Sequence, residues 1–209
     1  FLMIRRPPRS THCISSAASD VYKRQVLFTV IYLDLNPLIS ETSDSGEVRL
    51  SKITDLMKNS KYSIHDLSRM ERLKKGGLPR FNMPFECGID FGIKHSNEAL
   101  FGGKRFLILE KERFRYQRVI SDISGNDISA HGNKPEKVVK SIRNWFNLNI
   151  EDVPMYRAIW GAFNEFLVDY DTLLTEQGYD ANDISAVQFQ DIIDIMRDWI
   201  EVFKAAIAR

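Results

Sequence analysis

The alternation of short apolar runs with amphipathic stretches is the feature that most constrains how this chain can fold. Residues 105–109 (RFLIL), which follow two glycines, form the clearest buried strand, and residues 62–67 form a second strand. Strands that alternate with helices at this spacing indicate βαβ units and a parallel sheet covered on both faces. The sequence therefore predicts an α/β domain of three layers over residues 26–150.

The helices of this domain are predicted from their apolar spacing and from polar residues that can cap their first turns. The predicted caps are Ser45 for a helix at 47–59, Asn82 for one at 83–95, and Asn133 for one ending at Phe146. Residues 26–35 (VLFTVIYLDL) are apolar almost throughout, so periodicity leaves a buried strand and a buried helix equally open. A short helix is expected at 115–122, with short strands at 38–40 and 128–130.

After residue 153 the pattern changes to two long amphipathic helices, at about 155–176 and 187–207. Aromatic and aliphatic side chains recur on both at helical spacing, which is more typical of packing than of a cofactor site. We therefore interpret residues 151–209 as an αα-hairpin. It can dock on the sheet domain, on itself, on a second copy of the chain or on another protein.

Residues 1–25 differ from the rest of the chain. They carry five basic residues and one acid, they show no helical or strand periodicity, and Pro7-Pro8 interrupts them. The apolar centre of about 7–15 residues that a signal peptide needs is absent. The Arg/Ser-rich, acid-poor composition would also suit an organelle transit peptide.

The strings FLMIRRPPRST and SSAASDVYKRQ in this segment resemble a sequencing-library adapter translated in frame. A segment of that origin was never selected to fold, so we expect residues 1–25 to be disordered and to replace the natural N-terminus. On this interpretation the first strand of the sheet is missing. The remaining chain is mildly acidic, because five of the 29 basic residues but only one of the 28 acids lie in the segment.

Composition excludes several classes of protein. A hydrophobic fraction of 44% and a charged fraction of 27% fit an ordinary soluble globular protein. The net charge of +1 argues against a dedicated nucleic-acid or membrane-surface binder, and no apolar run reaches the ~18 residues of a membrane span. Cys13 and Cys87 cannot make a disulfide scaffold, which favours a reducing, cytoplasmic location.

The candidate site lies where the strand at 62–67 ends and the next helix begins, because ligands bind at the carboxyl ends of parallel strands. The polar residues expected to converge on one crevice there are His65, Asp66, Ser68, Arg80, Asn82 and Glu86. Glu86 also has a structural explanation, since the helix macrodipole stabilises an acid near the N-terminus. Gly88 and Gly92 in the same helix each cost about 1 kcal/mol relative to alanine, which favours close approach of a neighbour or ligand.

The other reactive residues carry weaker signals. His65, His95, His131 and Cys87 lack paired ligand spacing such as CxxC or HxxxH, so no metal site is expected. A turn or capping role explains His131 better than catalysis does, and burial explains Cys87. The basic residues between 104 and 118 alternate with Glu110 and Glu112, which favours a solvated face over a phosphate site.

Several strings resemble a family of uncharacterised bacterial proteins: 44–50 (DSGEVRL), 65–69 (HDLSR), 80–92 (RFNMPFECGIDFG) and 115–132 (RYQRVISDISGNDISAHG). More distantly, the order strand, DLS, loop, FECG helix and buried strand is similar to the nucleoside 2-deoxyribosyltransferase and TIR-like (Toll/interleukin-receptor) superfamily. That resemblance implies a flavodoxin-like fold, with Glu86 as the catalytic carboxylate and with Asp66 and Ser68 near the sugar of an N-glycoside.

The resemblance thus predicts a nucleotide-binding N-glycosidase or NAD hydrolase of the TIR-like kind, acting in bacterial defence, with NAD as substrate and no cofactor. Nicotinamide leaves a cationic ring as a neutral molecule and needs no general acid, whereas a nucleoside base needs a proton donor. His65 and Asp66 are the candidates for that donor. The alternatives are a non-catalytic nucleotide-sensing or protein-interaction module and an inactive fragment.

Overall fold

The computed structural model describes residues 2–6, 10–16, 20–40, 48–68, 70, 81–118, 120–123 and 125–208. Its strands are β1 (Leu2–Arg6), β2 (Ser10–Ser16), β3 (Pro37–Ile39), β4 (Tyr62–Asp66), β5 (Arg105–Glu110) and β6 (Ser129–Ala130). They form one open sheet in the order β3-β1-β2-β4-β5-β6. Strands β2, β4, β5 and β6 run parallel, whereas β1 is antiparallel to both of its neighbours.

The helices are α1 (Asp20–Tyr32), α2 (Arg49–Lys58), α3 (Asn82–Ser96), α4 (Glu98–Phe101), α5 (Pro135–Asn147), α6 (Tyr156–Glu176), α7 (Ala181–Ala186) and α8 (Phe189–Ile207). Helices α1 and α5 pack on one face of the sheet, and α2 and α3 pack on the other. The chain is therefore a mixed helix and sheet protein with helices on both faces, as predicted. Among the helices of the described ranges, none is both long and apolar enough to cross a membrane.

Residues 26–35, whose pattern allowed a strand or a helix, belong mostly to α1. Leu27, Phe28 and Val30 are completely or almost completely buried. A helix that is apolar on all sides is buried on all sides, and α1 meets this condition by packing against α5, α6 and α8. Asp34 adopts a left-handed backbone with φ 57° just after the helix, and the pair Asn36-Pro37 keeps the chain extended from there.

The N-terminal segment differs from our expectation of disorder and of a missing first strand. The structure has β1, β2 and the start of α1 within residues 1–25, and β2 pairs in parallel with β4. The unpaired backbone N–H and C=O groups along one edge of β4 can recruit any extended segment, whatever its side-chain period. Pairing through the backbone thus explains why a segment without strand periodicity joins the sheet. The adapter-like origin of the segment stays a prediction.

Several local predictions change at the ends of elements. The predicted cap Asn133 has a left-handed backbone with φ 55°, and α5 begins with Lys134 as its N-cap and Pro135 in its first turn. Asn82 is the first residue of α3 rather than its cap. The helix expected at 115–122 is a pair of short 3-10 turns. Ser45 lies outside the described residues.

The two predicted C-terminal helices are present as α6 and α8, with the additional short helix α7 between them. They share a hydrophobic core with α1, α5 and one face of the sheet. The ring of Phe28 on α1 lies 5.3 Å from Phe163, 5.4 Å from Phe166 and 5.9 Å from Trp199, measured between centroids. Of the docking modes left open by the sequence, the structure shows packing onto the α/β domain.

Candidate functional site

The candidate site lies at the point where the connections of the sheet change direction. From β2 the chain passes through α1 towards β3, whereas from β4 it passes through α3 towards β5 on the other side. A crevice at the carboxyl ends of the strands is expected at such a switch point. Asp66, the last residue of β4, pairs with Ser16, the last residue of β2, so it lies at the strand ends where this crevice is expected.

Asp66 and Ser68 lie together, as predicted for the end of β4. The backbone N–H of Ser68 donates a hydrogen bond of 2.9 Å to Asp66 Oδ1, and both residues are buried. This bond is a local turn in which the aspartate side chain accepts from a backbone group two residues later. It fixes the carboxylate at the strand end. Nε2 of His131 lies 3.7 Å from the same oxygen.

His131 follows β6 and reaches the crevice from a neighbouring strand end. Its backbone N–H donates to the carbonyl of Glu110 at 2.9 Å, and its Nδ1 accepts from the backbone N–H of Asn133 at 3.1 Å. Gly132 and Asn133 both have a left-handed backbone, which allows this tight turn. The predicted turn role therefore accounts for Nδ1 of the ring but not for Nε2. Nε2 points away from the turn and towards Asp66.

Glu110 and Arg115 are site residues that the sequence reasoning missed. Glu110 Oε1 accepts from Arg115 at 2.6 Å and from the backbone N–H of Lys111 at 2.6 Å. Arg115 also donates to the carbonyls of Leu67 and Ser68, at 3.2 and 2.7 Å, so it is not part of a purely solvated face. Burial raises the pKa of the Glu110 carboxyl, Arg115 opposes this shift, and the nearby Asp66 adds to it.

A signal for Glu110 was present in the sequence. It is the charged residue that ends the RFLIL strand, as Asp66 ends β4. The rule that selected Asp66, a charged side chain at the carboxyl end of a buried strand, selects Glu110 equally.

Glu86 lies in the second turn of α3, with 5% of its surface exposed. It is therefore beyond the first turn, to which the macrodipole effect is confined. Phe81 and Phe85, four residues apart at the start of the helix, are each 58% exposed. Residues with this spacing lie on the same helix face, so the two rings present an open aromatic surface at the start of the helix that carries Glu86.

His65 is engaged on the other face of the sheet. Its Nε2 lies 3.1 Å from Asp90 Oδ2 on α3, and Lys104 Nζ lies 3.0 Å from Asp90 Oδ1. Lys104 also donates to the carbonyls of Met57 and Ser60, at 2.6 and 2.7 Å. Successive strand residues point to opposite faces, so His65 lies on the face of the sheet that α3 covers and Asp66 on the other face.

Asp90 takes part in this cluster as an anion. Burial by itself raises the pKa of its carboxyl group, but the hydrogen bond and charge of His65, with the charge of Lys104, outweigh burial. The net pKa is lowered. We name these three residues, His65, Asp90 and Lys104, the buried clamp, because they join β4 and the start of β5 to α2 and α3.

The remaining predicted residues are placed as follows. Arg80 lies outside the described residues, and Asn82 begins α3. Cys87 is buried as predicted, and burial, with a smaller effect of Asp90, raises the pKa of its thiol to about 12. Beyond the helix's own nearby backbone, no described atom lies within 4 Å of where the Cβ atoms of Gly88 and Gly92 would be, so no neighbouring element approaches them closely. Close approach of a ligand stays a prediction. The cost of the two glycines to the helix has no structural explanation in the described part of the chain.

Two further features bear on ligands. Within the described residues, no group of three or more His, Cys, Asp or Glu side chains is arranged to hold a metal ion. A groove of about 530 Å³ lies at the opposite, amino end of β4, between the end of α1, residues 149–154 and Lys204. Lys204 is paired there with Asp34 at 2.8 Å. The switch point favours the carboxyl-end crevice over this groove as the ligand site.

Comparison with known proteins adds no relative. No protein-family model matches the chain, and no curated protein and no solved structure matches it. The family resemblances seen in the sequence therefore stay predictions, and the site has to be interpreted from its own geometry.

Proposed function

We propose that this protein binds a nucleotide or nucleoside at the carboxyl ends of β4, β5 and β6 and cleaves its N-glycosidic bond, with NAD as one substrate. The observation that carries the proposal is the pair of buried acids, Asp66 and Glu110, at the ends of adjacent parallel strands. The parallel strands, the helices on both faces and the position of the switch point also support a flavodoxin-like, TIR-like arrangement of the domain.

The chemistry needs a carboxylate more than any other group. When the C1′–N bond breaks, its electron pair leaves with the base and positive charge develops on C1′ and the ring oxygen. In this proposal Glu86 stabilises that charge, water then adds to C1′, and the proton of the water is released. Nicotinamide departs as a neutral molecule, so the reaction of NAD needs no proton donor. The exposed rings of Phe81 and Phe85 suit the stacking of a base.

The test compares the full chain with two variants, using NAD and adenosine as substrates and chromatography to measure released base. Glu86→Gln removes the proposed carboxylate charge, and Glu176→Gln is the matched control at an exposed position on α6. We expect the control to match the original chain and Glu86→Gln to lose about 100-fold or more in rate. Equal rates in all three proteins would refute the role of Glu86.

The second candidate is a non-catalytic nucleotide-sensing or protein-interaction module. The observation that favours it is the exposure of apolar side chains on the C-terminal helices, with Val168 at 66% and Val202 at 71%. Nucleotide binding without release of base, unchanged in Glu86→Gln, would support this candidate over the enzyme.

A further inference from the structure

His131 holds a buried hydrogen-bonding atom that no described residue satisfies. The residue is 1% exposed, and its Nε2 has no hydrogen-bond partner within the described part of the chain. Buried polar atoms are nearly always paired, so an unpaired one at a strand-end crevice indicates a missing partner. A ligand in the crevice would supply that partner.

The hydrogen bond at Nδ1 determines which nitrogen of the His131 ring carries the proton. Nδ1 accepts the backbone N–H of Asn133, so Nδ1 carries no proton, and the single proton of the neutral ring is on Nε2. The ring of Tyr22 lies 6.0 Å away between centroids, and its hydroxyl group hydrogen-bonds to the carbonyl of Asn133. With Nδ1 used as an acceptor, Nε2 is the ring atom that can offer an N–H group to the crevice.

Asp66 places an acceptor beside this donor. The distance of 3.7 Å between His131 Nε2 and Asp66 Oδ1 is longer than a hydrogen bond, so the two atoms do not satisfy each other. A ligand group that fits here must accept from one atom and donate to the other. A hydroxyl group does both, whereas an ammonium group only donates. A phosphate oxygen only accepts, and Asp66 and Glu110 repel it.

We propose that the crevice recognises a ribose hydroxyl of its ligand, which accepts a hydrogen bond from His131 Nε2 and donates one to Asp66. The proposal rests on the proposed function for the class of ligand, and it assigns the recognition of a sugar hydroxyl to His131 and Asp66. Weaker binding of the 2′-deoxy analogue would disfavour the 2-deoxyribose substrates that the sequence resemblance leaves open, whereas weaker binding of the 3′-deoxy analogue would retain them. His131 is a specificity-determining residue in this scheme.

The test is titration calorimetry of the full chain with adenosine, 2′-deoxyadenosine and 3′-deoxyadenosine. We expect at least one deoxy analogue to bind about 10- to 100-fold more weakly than adenosine, because it leaves a buried polar group unpaired. His131→Phe removes the donor and should weaken the binding of adenosine to the level seen for that analogue. His131→Gln keeps an amide N–H and should retain part of the preference, and His95→Gln on α3 is the exposed control.

Two results would overturn the proposal: equal affinity of the original chain for all three ligands, or an undiminished preference in a folded His131→Phe variant. If the preference is present and His131-dependent but no base is released, ribose recognition stands and the hydrolase proposal fails. If base is released but the three ligands bind equally well, the hydrolase proposal stands and ribose recognition fails. Absence of binding by all three ligands would overturn both.

Discussion

Two buried polar clusters lie on opposite faces of β4, one around His65 and the other around Asp66, and they differ in how their charges are compensated. In the buried clamp, Asp90 lies between two basic groups, His65 at 3.1 Å and Lys104 at 3.0 Å. In the crevice, Asp66 has a basic group, His131 Nε2, at the longer distance of 3.7 Å. Both clusters keep atoms without a hydrogen-bond partner among the described residues: His65 Nδ1 and Asp90 Oδ1 in the first, His131 Nε2 and Glu110 Oε2 in the second. The close ion pairs indicate a structural role for the first cluster, whereas the proposed ligand-binding role of the second rests on its position at the strand ends.

The largest expected effect comes from breaking the clamp. Lys104→Met removes the cation that compensates Asp90 and leaves the carbonyls of Met57 and Ser60 without their donor. Breaking one partner of a buried ion pair costs about 3–5 kcal/mol, which urea unfolding would measure. Lys58→Met, at a half-exposed position on α2, should change the free energy of unfolding by less than about 0.5 kcal/mol. A loss for Lys104→Met as small as that of the control would contradict a structural clamp.

A smaller change in stability is expected in the crevice. Glu110→Gln keeps an acceptor for Arg115, and the weaker hydrogen bonds that it makes are offset by removal of a charge that burial penalises, so we expect the free energy of unfolding at neutral pH to change by less than about 1 kcal/mol. If the crevice binds nucleotides, the same variant should alter affinity for adenosine more than it alters the urea midpoint. A loss of stability equal to that of Lys104→Met would place Glu110 with the structural residues.

The two clusters should respond to pH with opposite sign. The folded pKa of Asp90 lies below its ordinary 3.8, so its charged form stabilises the fold, and this contribution is lost as the pH falls through the folded pKa. The folded pKa of Glu110 lies above its ordinary 4.5, so its charged form is penalised, and the penalty is relieved as the pH falls towards 4.5. Urea midpoints between about pH 7 and pH 3 would show both trends.

Variants assign each trend to its residue. Asp90→Asn should become progressively less destabilising relative to the original chain below pH 3.8. Glu110→Gln should become more destabilising as the pH falls from neutral towards 4.5, because only the original chain gains from protonation. The opposite pH responses are contradicted if the destabilisation by Asp90→Asn and the destabilisation by Glu110→Gln change in the same direction as the pH falls.

The smallest expected effect concerns Cys87, which borders the clamp but takes no part in the crevice. With a thiol pKa of about 12 and a buried side chain, it should react with iodoacetamide about 100-fold or more slowly than a free thiol at pH 8. A Cys13→Ser variant isolates this thiol, and mass spectrometry measures the modification. The alkylation rate of the same thiol in guanidinium, where the chain is unfolded, is the reference. Rapid alkylation of the folded protein would show that α3 opens readily.

Much of the fold was predictable because hydrophobic period and turn chemistry act locally. The RFLIL strand, the helices α2, α3 and α5, and the two C-terminal helices follow from spacing within single segments. Residues 26–35, most of which belong to α1, could not be assigned to a helix or a strand, because a run buried on all sides has no period. The strands before it were not expected, because pairing with β4 is a property of the backbone and leaves little trace in side-chain pattern.

The sequence by itself determined the strands β4 and β5, most of the helices, and that Asp66 and Ser68 lie at the end of a buried strand, since these depend on neighbours along the chain. Only the tertiary structure decided how the polar residues group. It set His65 against Asp90 and Lys104 on one face, and it brought His131 and Glu110 to Asp66 at the other cluster. These partners are separated by 25 to 65 positions. The first group meets because α3 packs on the sheet, and the second because parallel strands align their carboxyl ends at one edge.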